Sequence, residues 1–92
     1  MAVVNWTHRS VNDLRNIAEF IEKDSVKYAS LTIQRLINVE HLLEENPRIG
    51  RKVPETGHKD RIREIIQGNY RIIYQIAKED VNFNSIIYHH FS

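Results

Sequence analysis

The sequence has no cysteine, which excludes disulfides and thiolate metal sites and suits a reducing compartment. It has no apolar run near the roughly 18 residues that a membrane span needs, and no basic-then-apolar start of the secretory kind. A cytoplasmic location without membrane association is the resulting expectation. With a net charge of +1, the chain has too little excess charge for general attraction to nucleic acid, although its thirteen Lys and Arg residues could cluster locally. There is no glycine-rich phosphate loop, no nucleophile elbow, no carboxylate pair at catalytic spacing and no internal repeat. Neither His8, His41 and His58 nor the adjacent pair His89 and His90 make a metal-ligand spacing. No metal, cofactor or small-molecule substrate is expected.

What is present reads as one α+β domain over residues 1–92, since 92 residues leave no room for a second core and the hydrophobic share of 41% is ordinary. The organising stretch runs from Asp60 to Ile76, where two β-prone segments flank Gly68-Asn69. Glycine takes positive φ without steric cost, so this pair signals a two-residue hairpin. The hairpin register puts Gln67 opposite Tyr70, Ile65 opposite Ile72 and Arg63 opposite Tyr74. One sheet face then holds Arg61, Arg63, Ile65, Tyr70, Ile72, Tyr74 and Ile76, and carries the core. The other holds Ile62, Glu64, Ile66, Arg71, Ile73 and Gln75. A third strand, Val81 to Phe91, is expected to return through Glu79-Asp80 with Lys78 opposite Val81. That pairing sends Phe83, Ser85 and Ile87 to the core face and Asn82, Asn84, Ile86, Tyr88 and His90 to the polar one, with Arg71 facing Tyr88. A slip of one residue would exchange the faces of this strand.

Upstream, Ala2–Trp6 reads as a first strand. Ser10, with Asp13 three residues on, reads as the N-cap of a helix whose apolar stripe is Val11, Leu14, Ile17, Ala18 and Ile21. Asp24-Ser25 offers a second cap. The helix that follows places Ala29, Ile33, Leu36, Ile37, Glu40 and Leu43 on one side, widened by Leu31, Val39 and Leu42, and stops near Asn46-Pro47. Arg48 to Lys59, with Pro54, Gly50 and Gly57, reads as an exposed connector. The predicted order is β-α-α-β-β-β, an antiparallel sheet with a two-helix hairpin on one face.

Arg71 draws attention because an arginine within a strand needs a reason. Its fork of donors suits a phosphate or an acidic peptide, or else a cross-strand ion pair with Glu64. His90 and Tyr88 beside it could move a proton. Arg48, Arg51, Lys52, Arg61 and Arg63 form a basic run suited to phosphates or to an acidic partner strand, and equally to a solvated loop.

Trp6, Asp13-Leu14 with Ile17 and Ile21, Leu43 with Asn46-Pro47, Gly50-Arg51, Arg63-Glu64, Tyr70-Arg71-Ile72-Ile73-Tyr74 and His89, in this order, resemble the RelE/ParE superfamily of toxins from type II toxin-antitoxin modules. The resemblance covers nearly the whole chain. It implies a growth-inhibiting toxin neutralised by a cognate antitoxin whose C-terminal segment wraps it as helix and strand. RelE-type members cleave messenger RNA on the ribosome, and ParE-type members poison DNA gyrase. Of the basic RelE set, the hairpin arginine matches Arg71, the two preceding lysines fall on Ile62 and Glu64, and a later arginine falls near Phe91. The resemblance therefore implies a ParE-like gyrase poison. Ribosome-dependent cleavage by Arg71, with His90 or Tyr88, is the alternative reading, and a non-toxic binding protein that keeps the fold is a third.

Overall fold

A computed structural model of the chain describes residues 1–53 and 61–88. The elements run β1 (Val4–Trp6), α1 (His8–Glu22), α2 (Val26–Glu45), β2 (Arg51–Lys52), β3 (Ile62–Gln67), β4 (Tyr70–Ala77) and β5 (Asp80–Tyr88). They build one five-stranded sheet in the order β1-β5-β4-β3-β2, with the two helices against one face. The α+β class and the helical hairpin are as the sequence predicts. Two features of the sheet differ. Arg51 and Lys52, expected in an open connector, form a short strand antiparallel to β3, and β1 pairs with β5 in parallel, so the sheet is mixed. The chain does return from the helices antiparallel to β1, as β2, but at the opposite edge. Three further reversals bring β5 alongside β1 in the same direction.

The N-cap of helix α1 lies three residues earlier than predicted. Thr7, not Ser10, is the N-cap, and its Oγ1 accepts from the Ser10 amide at 3.2 Å. The same hydroxyl donates to the Phe83 carbonyl at 2.6 Å, so a tertiary bond to β5 fixes where the helix starts. Ser10 is consequently buried in the first turn, its Oγ donating to the Thr7 carbonyl. Ser25 caps α2 and Asn46 ends it, as expected. Glu40, which sits on the apolar side of α2, accepts from the Trp6 indole Nε1 at 2.6 Å. The Trp6 ring in turn meets Phe83 edge-on, with centroids 4.5 Å apart. Such a pair adds about 0.5–1.5 kcal/mol beyond its buried area.

The core lies between α2 and the helix-side face of the sheet, with Leu36, Val39, Leu43, Ile72, Tyr74, Ile76, Val81, Phe83 and Ile86 buried together. Val11, Leu31 and Leu42, assigned to apolar stripes from spacing, are instead exposed. They sit at the borders of stripes narrower than the spacing suggested.

The β3–β4 register is the predicted one residue for residue, and Gly68 has the positive φ that the turn requires, 61°. The β4–β5 pairing departs from expectation in two steps. Its loop is Lys78–Glu79, with Lys78 itself at φ 60°, so Ala77 rather than Lys78 begins the pairing, opposite Asp80. A shift of two residues preserves faces, and Val81 and Phe83 point into the core. A bulge then leaves Asn84 without a partner, and beyond it Ile86 pairs with Ile72, Ile87 with Arg71 and Tyr88 with Tyr70. One extra residue inverts every later side chain. Ile86 and Tyr88 therefore share the helix-side face, while Ser85 and Ile87 lie on the other, the reverse of the prediction. β1 ends opposite Phe83, and α1 takes over that edge: Asp13, expected to serve its own helix end, accepts from the Ile86 amide at 2.9 Å.

Candidate functional site

The bare face of the sheet centres on Glu64. Opposite Arg51 in β2 and diagonal to Arg71 in β4, its carboxylate receives both guanidiniums. Arg51 donates through Nε to Oε1, and Arg71 through Nε, at 2.7 Å, and Nη2 to Oε2. Glu64 is 1% exposed. Burial alone would raise its pKa, but the hydrogen bonds and charges of Arg71 and Arg51 outweigh that effect and hold the carboxyl below its ordinary value. Arg71 is thus occupied by a partner within the fold, as the ion-pair reading of the sequence allowed. No aromatic ring flanks it across the ladder, since its neighbours there are Ile66 and Ile87.

That geometry separates the proposed acid-base group. Tyr88 does not face Arg71. It lies on the opposite sheet face, where its ring meets Tyr70 edge-on at 5.6 Å. His90 lies outside the described residues. The bulge at Asn84 is what parts Tyr88 from Arg71, and nothing in the alternation of the sequence signals it.

The basic run also divides. Arg63 turns inward, its Nη1 donating to the carbonyls of Arg48 at 3.0 Å and Gly50 at 2.9 Å, with its Nε buried and unpartnered among the described residues. It holds the connector rather than any external group. Arg51 is bound to Glu64 yet keeps a side chain 65% exposed, while Arg48, Lys52 and Arg61 are exposed. Among the described residues there is no group of three His, Asp or Glu able to hold a metal, and no helix long and apolar enough to cross a membrane.

A large concavity lies elsewhere and was not signalled as a site by the sequence. Where the far end of the helical hairpin overhangs β4 and β5, an apolar groove of about 700 Å³ is lined by Ile17, Phe20, Ile21, Tyr28, Tyr70 and Tyr88. Phe20, Tyr28 and Tyr88 are more than half exposed there, as is Val26 at the start of α2. Burial, with lesser contributions from Tyr28 and Tyr88, raises the Tyr70 phenol above its ordinary pKa. Exposed patches of aromatic and aliphatic side chains are a general feature of protein-interaction surfaces. The available signal was that Phe20, Val26 and Tyr28 fall off both core stripes.

The described residues thus form an open five-stranded sheet with a helical hairpin on one face and an apolar groove at one end. Residues 4–90 match the family model of the ParE toxin of the type II toxin-antitoxin system, parDE, and the chain belongs to that family. No curated protein matches the sequence. Among solved structures, the fold is similar to that of the chromosomal ParDE toxin-antitoxin system from P. aeruginosa, with TM-score 0.79, 14% identity and 98% of each chain covered. It is also similar to the toxin-antitoxin complex RelBE2 from Mycobacterium tuberculosis, with TM-score 0.67, 17% identity, and 96% of this chain and 98% of that one covered.

Proposed function

We propose that this ParE-family toxin acts on DNA gyrase by protein contact, in the cytoplasm, and that a cognate antitoxin silences it. The carrying observation is the engagement of Arg71 by the buried Glu64. A guanidinium that is to stabilise charge developing on a scissile phosphate must be free to meet it. Here the charge is already compensated, and by the residue that falls on a lysine position of the ribonuclease pattern. Tyr88, one of the two proton carriers that the alternative reading assigns, lies on the far face of the sheet from Arg71. The alternative of ribosome-dependent cleavage would need Glu64 to release Arg71 on binding.

The antitoxin reading is supported by the groove at Phe20, Tyr28, Tyr70 and Tyr88. An amphipathic helix laid there would cover the exposed aromatics, the usual mode for helix-in-groove recognition. Arg48, Lys52 and Arg61 remain candidate contacts for acidic partner groups.

Purified toxin would be tested in parallel in a gyrase supercoiling and DNA-cleavage assay and in a translation extract with primer extension of the message. We expect gyrase-dependent DNA breaks, intact message and, for a folded Arg71→Ala variant, gyrase activity close to that of the native chain. Message cuts that vanish in Arg71→Ala would establish the ribonuclease reading instead.

A further inference from the structure

The groove at the far end of the helical hairpin is bordered by four aromatic rings, each from a different element: Phe20 of α1, Tyr28 of α2, Tyr70 of β4 and Tyr88 of β5. The Tyr70 and Tyr88 rings stand at 77° with centroids 5.6 Å apart, so they form two walls of a corner. Phe20 and Tyr28 are more than half exposed and extend the lining from the helices. The Tyr28 and Tyr88 phenols lie close enough to that of Tyr70 to add, after burial, to its raised pKa. Aromatic faces are electron-rich and attract a cation, most strongly where water is partly excluded.

The charge beside these rings has one sign. Asp24, in the turn between the helices, is the one charged side chain among the described residues that line the groove. It has no ion pair among the described residues. Lys23 and Lys27, close to it in the chain, are exposed, and neither lines the groove. The carbonyl end of α1 adjoins it, since the Asp24 and Ser25 amides both donate to the Ile21 carbonyl, and a helix C-terminus favours positive charge. The amide end of α2 starts at the same turn, but there the Ser25 hydroxyl takes up the Tyr28 amide. An anion would meet no described cation here, and an uncharged ligand would leave Asp24 unused. A volume of about 700 Å³, mostly apolar with one placed charge, is that of a small-molecule site.

We infer that this groove binds a small amphiphilic ammonium, its nitrogen held between the tyrosine faces and Asp24 and its apolar chain lying along Ile17 and Ile21. The binding does not rest on the function assigned above. One consequence does: if the antitoxin helix occupies the same groove, the ammonium competes with it.

The test uses the full chain without antitoxin and titrates hexyltrimethylammonium, with 1-hexanol and hexyl sulfate as uncharged and anionic controls of equal chain length, followed by nuclear magnetic resonance. The ammonium is expected to bind roughly threefold to tenfold more tightly than hexanol, and hexyl sulfate most weakly. Its N-methyl protons should shift upfield in the ring currents of the tyrosines. Asp24→Asn, at an exposed position, should weaken the ammonium several-fold and leave hexanol unchanged. Tyr88→Leu keeps an apolar side chain without a ring face, and with its folding checked by circular dichroism it should weaken the ammonium more than hexanol. No binding of the ammonium, hexanol or hexyl sulfate binding as tightly, N-methyl protons that do not shift, or an Asp24→Asn variant that binds the ammonium as the native chain does would each overturn the proposal. Because no antitoxin is present, none of these results bears on the antitoxin reading.

Discussion

Each face of the sheet has one large side chain sealed from solvent that holds the same piece of chain. On the helix side it is Tyr74, 0% exposed, whose hydroxyl donates to the Pro47 carbonyl at 2.8 Å and accepts from the Gly50 amide. On the bare side it is Glu64, which grips Arg51 one residue further on. The first is a neutral bond pair inside an apolar core, where low polarity strengthens the bonds and makes their loss costly. The second is a charge held by two cations, one of them largely exposed, where water screens much of the attraction. The connector is therefore clamped mainly from the core side. The charged side sets what Arg71 can do.

Both clamps meet at Gly50, where a substitution does the most damage. A Cβ at Gly50 would lie 2.5 Å from the Tyr74 hydroxyl and 2.7 Å from the Glu64 carbonyl, so Gly50→Ala must displace backbone. Overpacking of this kind costs roughly 1–3 kcal/mol, and we expect the upper end, measured by urea denaturation. Tyr74→Phe keeps the ring but leaves the Gly50 amide and Pro47 carbonyl without their partner. It should cost about 1–3 kcal/mol and speed exchange of the Gly50 amide. The smallest effect is titration of the bare side. With its folded pKa below the unfolded value, Glu64 contributes stability that is present above the ordinary carboxylate range and lost as pH falls through the depressed folded value. Denaturation midpoints of the native chain should fall more steeply than those of Glu64→Gln as pH drops below about 4.5. Parallel acid limbs would mean that Arg51 and Arg71 contribute nothing through Glu64.

The two hairpins show where sequence reasoning reaches and where it stops. Around Gly68-Asn69 the local chemistry is decisive, because a positive-φ residue in a two-residue loop pins the register of both flanking strands. The Glu64–Arg71 diagonal followed from that register and could be read in advance. At Lys78–Glu79 no glycine marks the turn, and the left-handed residue is a lysine. The bulge at Asn84 has still less local signal. It lies just beyond the end of β1, where Thr7 and Asp13 of the α1 end bond to Phe83 and Ile86. Those contacts join residues more than 70 positions apart, so alternation within β5 could not disclose them, and Tyr88 was placed beside Arg71 when it belongs to the groove.

By itself the sequence determined the α+β class, the helical hairpin with its Ser25 and Asn46 boundaries, the central β-hairpin and its faces, and the family pattern. These rest on interactions within a few residues, on periodicity, or on motif order. Only the tertiary structure decided that β1 lies parallel to β5, that β2 exists, that Glu64 is sealed between two arginines, and that the exposed aromatics of both helices meet Tyr70 and Tyr88 in one groove. Each of these depends on which distant segments share an edge, and a single unpaired residue in β5 is enough to change the answer.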